Sequence, residues 1–309
     1  MESFGIMRRL AEGRLLFDGG MGSMLIGLGL PAGWPPEEWN VSRPEAVTRV
    51  HRAYLDAGAE VVGTNTFGAT PARLATHGLA DRTAEFSTAG LQLARKAVAE
   101  TSRGADNRRR FVAFSLGPGG EMLPPVGSAD PDRVRREFLG PLRSAGGGDA
   151  PDLILIETMI DLREALIALE VAKNTVDVPV AVSLTYNRNP RGFFTIMGDE
   201  ASKAAKQLEA AGADVIGANC SITSGDMLNL AAVLRSSTTV PLLCQPNAGN
   251  PAIRAGGPVY EQAPEEFAEH VQGLFDAGVN AVGGCCGTTP DFIRRASDAI
   301  RHRPGDSHG

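Results

Sequence analysis

Short apolar segments alternate with longer amphipathic segments along almost the whole chain, and this alternation limits the fold more than any other feature. Eight segments have the length and composition of strands: Leu15–Asp18, Glu60–Asn65, Phe111–Leu116, Asp152–Glu157, Val178–Thr185, Ala213–Cys220, Val240–Pro246 and Val279–Gly283. Helical patterns lie between them: Pro44–Gly58, Asp81–Glu100, Asp161–Lys173, Glu200–Gly212 and Pro264–Gly278. Strict alternation of strands and helices is typical of a parallel sheet.

Three of the helical segments end in nearly the same sequence, which supports a repeated unit. Each ends in Ala-Gly, at Gly58, Gly212 and Gly278. Glycine at a helix C-terminus adopts the left-handed conformation that turns the chain into the next strand. Eight such units predict an α/β fold, a single (β/α)8 TIM barrel over residues 1–303, with a doubly wound open sheet as the alternative. The tail 304–309 has nothing to bury, and we expect it to be disordered.

Polar residues stand where the apolar segments end: Asp18, Asn65-Thr66, Glu157-Thr158, Thr185, Asn219-Cys220, Asn247 and Cys285-Cys286. In a barrel these positions meet at one mouth, where active sites of this fold lie. Two long segments, Gly19–Ser42 and Gly117–Asp130, follow the first and third strands and would overhang that mouth. They could form a lid or a partner surface, or simply pack over the rim.

Charge and hydropathy exclude several classes of protein. The net charge of −6 argues against a nucleic-acid surface, and the short run at Arg108, Arg109 and Arg110 forms no wider basic patch. No apolar run is long enough to span a bilayer. The segment from Met1 to Leu10 lacks the apolar core of a secretion signal. We therefore expect a cytoplasmic protein that binds neither nucleic acid nor membrane.

Three of the four cysteines, Cys220, Cys285 and Cys286, stand at predicted strand ends and could hold one zinc ion. Neighbouring side chains of a strand point to opposite faces, so Cys285 and Cys286 can share a metal only where the backbone has left the sheet. The glycines around the pair permit such a turn. Spacing alone leaves open a four-cysteine site with Cys244, a disulfide between neighbours, or buried cysteines that act as small apolar residues.

Four motifs carry a family resemblance: Asp18-Gly19-Gly20-Met21-Gly22, Thr64-Asn65-Thr66-Phe67, Gly217-Ala218-Asn219-Cys220 and Gly284-Cys285-Cys286-Gly287-Thr288-Thr289-Pro290. With them the chain resembles the homocysteine S-methyltransferase family from about Leu15 to Ile300. Gln245-Pro246-Asn247-Ala248-Gly249 makes it most similar to the homocysteine-binding module of cobalamin-dependent methionine synthase.

The resemblance implies that Cys220, Cys285 and Cys286 bind zinc at the C-terminal mouth of the barrel and activate the homocysteine thiol there. Three thiolates leave the zinc unit with a negative formal charge, so a bound sulfur stays nucleophilic, which suits alkyl transfer. Cys244 lies inside a strand, and we expect it to pack in the core.

The resemblance also implies a cradle for the amino-acid end of the substrate. Asp18 and Glu157 would bind the α-ammonium, and the turn Gly19, Gly20, Met21, Gly22 would offer backbone N–H groups to the α-carboxylate. Asn219 would orient Cys220. The plainer interpretation makes the two carboxylates caps or members of internal ion pairs.

The methyl donor implied by the resemblance is methylcobalamin on a separate corrinoid protein, because the chain has no room for a cobalamin domain of its own. The segment Arg191–Gly198 departs from the usual pattern, and Gly287 stands where the S-methylmethionine branch commonly has arginine. One alternative is an enzyme that uses S-methylmethionine or another small sulfonium or ammonium donor. Another is a non-catalytic zinc-binding barrel that serves as a subunit of a demethylase system.

Overall fold

A computed structural model describes residues 5–101, 108–254 and 257–301. Eight parallel strands form one sheet: β1 (Leu15–Leu16), β2 (Val61–Gly63), β3 (Phe111–Leu116), β4 (Leu153–Met159), β5 (Val180–Leu184), β6 (Val215–Thr223), β7 (Leu242–Asn247) and β8 (Ala281–Val282). All eight overlap segments predicted from the sequence, although β4, β6 and β7 continue past the predicted ends.

The sheet is closed. Strands adjacent in sequence are adjacent in the sheet, and β8 pairs with β1. Between β1 and β2, Phe17 forms a parallel bridge with Val61. The N–H of Asp18 donates to the Val61 carbonyl at 3.0 Å, and the N–H of Glu60 donates to the Leu16 carbonyl at 2.8 Å. The predicted barrel is confirmed, and the open-sheet alternative is wrong.

A helix follows every strand of the barrel: Pro44–Asp56, Thr83–Thr101, Pro131–Ala145, Leu162–Thr175, Ala201–Ala210, Ser224–Arg235, Pro264–Asp276 and Pro290–Arg301. Shorter helical segments are Gly5–Glu12, Met21–Gly27, Pro36–Glu38, Trp39–Ser42, Pro71–Ala75 and Ala80–Arg82. The glycines after three of the helices, Gly58, Gly212 and Gly278, have φ of 107°, 91° and 86°. The left-handed helix ends predicted from the Ala-Gly repeats are therefore confirmed.

Two apolar layers hold the barrel together. The inner layer fills the barrel with side chains such as Phe17, Leu155 and Leu243, and Ile6 and Leu10 of the N-terminal helix close its lower end. The outer layer packs the alternate side chains of the strands against the surrounding helices. Because apolar groups fill the lower barrel, the polar side chains at the upper strand ends face a separate chamber.

The upper loops contain two hairpins that the sequence did not predict. Asn187–Asn189 pairs with Gly192–Phe194 after β5, and Pro251–Arg254 pairs with Gly257–Tyr260 after β7. In the described ranges no helix is long and apolar enough to cross a membrane. The expected tail 304–309 and the last residues of the predicted domain lie outside the described residues.

Candidate metal and substrate site

The first cysteine of the site stands where β6 leaves the regular ladder. Pairing between β6 and β7 is regular up to Asn219 and resumes, with shifted register, at Thr223. Cys220 and Ser221, between these points, have φ of 63° and 56°. Residues with a Cβ seldom take this conformation, and it costs about 1–2 kcal/mol for each. The strained turn directs Cys220 into the mouth of the barrel.

The other two cysteines lie in the turn that follows β8. The N–H of Cys285 donates to the Pro246 carbonyl at 2.9 Å, and the N–H of Cys286 donates to Oδ1 of Asn247 at 3.1 Å. Gly287 continues the turn with φ of 79°. The backbone has thus left the sheet at the pair, as the sequence argument required for a shared metal.

The three sulfur atoms form one cluster. The Sγ atoms of Cys220, Cys285 and Cys286 all lie within 4.8 Å of one another, and none is in a disulfide. Cys244 is fully buried and belongs to the outer apolar layer. Burial raises the pKa of its thiol to about 12. The expectation that Cys244 packs in the core is confirmed.

Hydrogen bonds among the thiols divide their protons unequally. Donation by Cys285 and Cys286 lowers the pKa of Cys220 to about 3. The bond to Cys220 in turn raises the pKa of Cys286 to about 11 and that of Cys285 well above the ordinary thiol value. These bonds favour the thiolate at Cys220 over the other two sulfurs, and metal binding to all three releases thiol protons.

Two carboxylates face the same chamber. Asp18 is buried and accepts the N–H of Gly63 at 2.9 Å. Glu157 is partly buried and accepts the Ser115 hydroxyl. Burial raises the pKa of Asp18 well above its ordinary value and that of Glu157 to about 7, and among the described residues no lysine or arginine lowers either one. Buried acids without a cation are suited to a ligand that brings one.

Asn219 connects Glu157 to the sulfur cluster. Its Oδ1 accepts the N–H of Thr158 and the hydroxyl of Ser183, each at 2.8 Å. Its Nδ2 donates to Thr158 Oγ1 at 2.7 Å and lies 3.4 Å from Glu157 Oε2 and 3.8 Å from Cys285 Sγ. Among the described hydrogen bonds, this side chain contacts the sulfur of Cys285, whereas Cys220 was the cysteine that it was expected to orient.

The turn after β1 packs directly on the cysteine turn. The N–H of Gly20 donates to the carbonyl and hydroxyl of Thr288 at 3.1 and 3.2 Å, so this amide is already occupied. A Cβ at Gly20 would lie 2.6 Å from the Cys285 carbonyl oxygen. Met21 and Gly22 begin the short helix beyond it. The glycine therefore permits a close approach between two parts of the site.

A cavity of about 700 Å³ joins these groups. Its lining includes the three cysteines, both carboxylates and the turn after β1. It also includes residues that were not predicted to belong to the site: Trp34, Phe67, Arg73, His77, Ser115 and Gln245. Trp34 and His77 meet edge to face at 5.4 Å, and the Arg73 guanidinium lies over Phe67 at 5.1 Å.

Strand periodicity carried a signal for two of the missed residues. Successive side chains alternate between faces, so residues two apart share a face. Ala113 and Leu243 belong to the inner layer, and Ser115 and Gln245 follow each of them by two positions. Once the inward-facing positions of these strands are known, the period of two places both side chains at the floor of the chamber.

Comparison with known proteins identifies the family of this chain. Residues 15–300 match the family described as homocysteine S-methyltransferase. Methionine synthase from Mycobacterium leprae is 32% identical over 311 residues, covering 96% of this chain and 25% of that protein. Methionine synthase from Mycobacterium tuberculosis is 34% identical over 271 residues, covering 84% of this chain and 22% of that protein. The chain thus spans about a quarter of the length of these curated relatives.

Solved structures support the fold. The metallated form of the homocysteine methyltransferase MmuM from Escherichia coli has a TM-score of 0.79 at 23% identity, covering 94% of this chain and 99% of that one. Its apo form has a TM-score of 0.75 at 22% identity. The family match extends over nearly the entire barrel and includes all three clustered cysteines. The chain therefore belongs to the homocysteine S-methyltransferase family, as its motifs had predicted.

Proposed function

We propose that this chain is a zinc-dependent methyltransferase that moves a methyl group to the thiol of homocysteine and gives methionine. The observation that carries the proposal is a single cavity shared by the sulfur cluster and by two carboxylates without a cation. A ligand that suits both needs a thiol at one end and an ammonium at the other. Homocysteine has this arrangement.

The donor set of the cluster fits zinc. Tetrahedral zinc with bonds of about 2.3 Å separates thiolate sulfurs by about 3.8 Å, and the three Sγ atoms here lie within 4.8 Å of one another. Three protein ligands leave one position for substrate, which is the pattern of catalytic zinc sites. When bound, zinc supplies a Lewis acid that keeps a coordinated thiol deprotonated near neutral pH.

The side chains of the chamber would position the substrate. Asp18 and Glu157 hold the α-ammonium, and Asn219 fixes Glu157 beside the cluster. N–H groups of the turn Gly19–Gly22, other than that of Gly20, are offered to the α-carboxylate. The thiol proton leaves to solvent, and the sulfur then attacks the methyl carbon. The sulfur–carbon bond forms as the donor–methyl bond breaks, and the bonding pair stays with the donor.

We assign the donor to a methyl-corrinoid on a partner protein. In the branch that uses S-methylmethionine, the resemblance leads us to expect arginine at position 287. Here Gly287 has φ of 79°, and the ring of Tyr260 lies where a Cβ would stand. This packing leaves no room for the arginine. A cytoplasmic location is part of the proposal, because the cluster needs reduced thiols.

A donor screen tests the proposal. The zinc-loaded chain should bind homocysteine and show little turnover until methylcobalamin or a methyl-corrinoid protein is added. Turnover with S-methylmethionine or betaine alone would refute the donor assignment. Proton release on addition of homocysteine tests the class of protein, because a non-catalytic zinc-binding subunit should release none.

A further inference from the structure

Gln245 stands on the floor of the chamber and has no part in the function described above. It lies in β7, where it is the parallel register partner of Asn219 in β6. It is 5% exposed and lines the cavity. The strand on its other side is β8, and the residues that follow β8, Gly283 and Gly284, have no side chains.

The amide oxygen of Gln245 is buried without a hydrogen-bond partner. Several other buried side chains in the described ranges share this state, but Gln245 alone among them also lines the cavity. A buried acceptor left unpaired costs about 1–3 kcal/mol. Leu243, two positions earlier, fills the inner layer with an apolar side chain. A residue that only packed at position 245 would avoid this cost.

Gln245 and Asp18 line the same cavity and lie on either side of Gly283. A Cβ at Gly283 would lie 2.8 Å from the Asp18 carbonyl oxygen and 3.4 Å from Gln245 Cγ. Because position 283 is glycine, the chain after β8 places no side chain of its own between these two residues. On the other side, the amide of Asn219 is already bonded to Thr158 and Ser183. An incoming ligand is therefore the partner that can reach the Gln245 oxygen.

An alkylammonium group has three N–H donors. Asp18 and Glu157 supply two acceptors, and a third carboxylate would add a buried charge at high cost. A neutral amide oxygen supplies the third acceptor without that charge. We propose that Oε1 of Gln245 accepts a hydrogen bond from the α-ammonium of the substrate and so selects a free amino acid. This inference rests on the proposed function.

The test compares Gln245→Met with the parent protein, both zinc-loaded. Methionine keeps the volume and removes the acceptor. We expect the dissociation constant for homocysteine to rise about ten- to hundredfold, as for loss of a bond to a charged group. 3-Mercaptopropylamine, which keeps the ammonium, should show the same rise, and 4-mercaptobutanoate, which lacks it, should show none.

Two further measurements separate this role from a structural one. Stability in urea should stay equal or increase in Gln245→Met, because an unpaired acceptor is removed. Gln262→Met is the matched control, since Gln262 follows the same strand and bonds Ser224 outside the cavity. It should leave the affinity for all three thiols unchanged.

Equal affinity of the Gln245→Met variant and the parent for homocysteine would overturn the inference. So would a loss shared by 4-mercaptobutanoate, which would place the amide at the carboxylate or give it a packing role. If no thiol binds the zinc-loaded parent, the proposed function fails instead. The contact between the Gln245 amide and the ammonium is then tested by the affinities of the same variants for L-norvaline, which has the α-ammonium, and for pentanoate, which lacks it.

Discussion

Two substitutions of Asn219 should separate the stability that comes from the hydrogen bonds it accepts from the effect of a charge placed beside Glu157. In Asn219→Leu, the N–H of Thr158 and the hydroxyl of Ser183 lose their acceptor in a buried setting. Each unpaired donor costs about 1–3 kcal/mol, so the variant should lose about 2–6 kcal/mol of the free energy of unfolding. The loss should fall in the lower half of that range, because the hydroxyl of Ser183 can rotate toward another acceptor.

Asn219→Asp keeps both accepting bonds but places an oxygen where Nδ2 stands, 3.4 Å from Glu157 Oε2. Two carboxylates at that distance cannot both ionise readily, so they should share a proton. Sharing raises the pKa of the pair in the folded state. The bound proton therefore stabilises the folded state, and this stabilisation is lost as pH rises through the raised pKa. The variant should match the parent at pH 5 and become less stable above pH about 7, near the value to which burial already raises the pKa of Glu157.

Urea denaturation of the metal-free, reduced protein measures both effects, at pH 5 and pH 8. Ser183→Ala is the control, because the N–H of Thr158 still satisfies Asn219 in that variant, and it should cost less than about 1 kcal/mol. The double variant Ser183→Ala/Asn219→Leu should be more stable than the sum of the single changes predicts. A loss below about 0.5 kcal/mol in Asn219→Leu at either pH would refute the account, since that is the usual scatter of neutral substitutions.

Three further predictions concern the neighbouring parts of the site. Gly287→Ala should destabilise the protein in urea, because of the positive φ of this position and the overlap of the new Cβ with the Tyr260 ring. Adding Tyr260→Ala should remove the overlap with the ring, so that the alanine then costs only the about 1–2 kcal/mol of the positive φ. In a chelator competition, Cys244→Ala should bind zinc one to one. Cys285→Ala should bind zinc more than about 100-fold more weakly, because losing a metal ligand weakens affinity more than losing a residue that hydrogen-bonds a ligand. In a zinc-free pH series, the parent should lose stability as pH rises from about 4.5 to about 7, because burial raises the pKa of Glu157; Glu157→Gln should show a smaller decline, and an unchanged slope would contradict the assignment.

The barrel could be predicted from sequence because its signals are local and repeated. Each strand is a short apolar run, and each Ala-Gly helix end needs only a left-handed residue, so eight independent signals agree. Cys244 could be assigned to the core by its place inside a strand. These features depend on neighbours within a few residues, which the sequence displays directly.

The hairpins and the turn at Cys220 could not be predicted, because long-range contacts determine them. Asn187–Asn189 is polar and exposed, without the alternation that marks a strand. Neither Cys220 nor Ser221 favours a positive φ, and packing in the closed barrel overrides that preference. The partners of Asn219 come from β4 and β5, more than 30 residues away. Spacing indicated a metal site, but only the folded chain shows how its support is built.

The closure of the lower barrel end by Ile6 and Leu10 has a kinetic consequence. With the lower end filled, the chamber is a blind-ended well, and both reactants have to pass through one opening. In the proposed reaction the amino acid occupies the bottom and the methyl carrier covers the top. Homocysteine should therefore enter before the carrier arrives, and methionine should depart only after the spent carrier has gone.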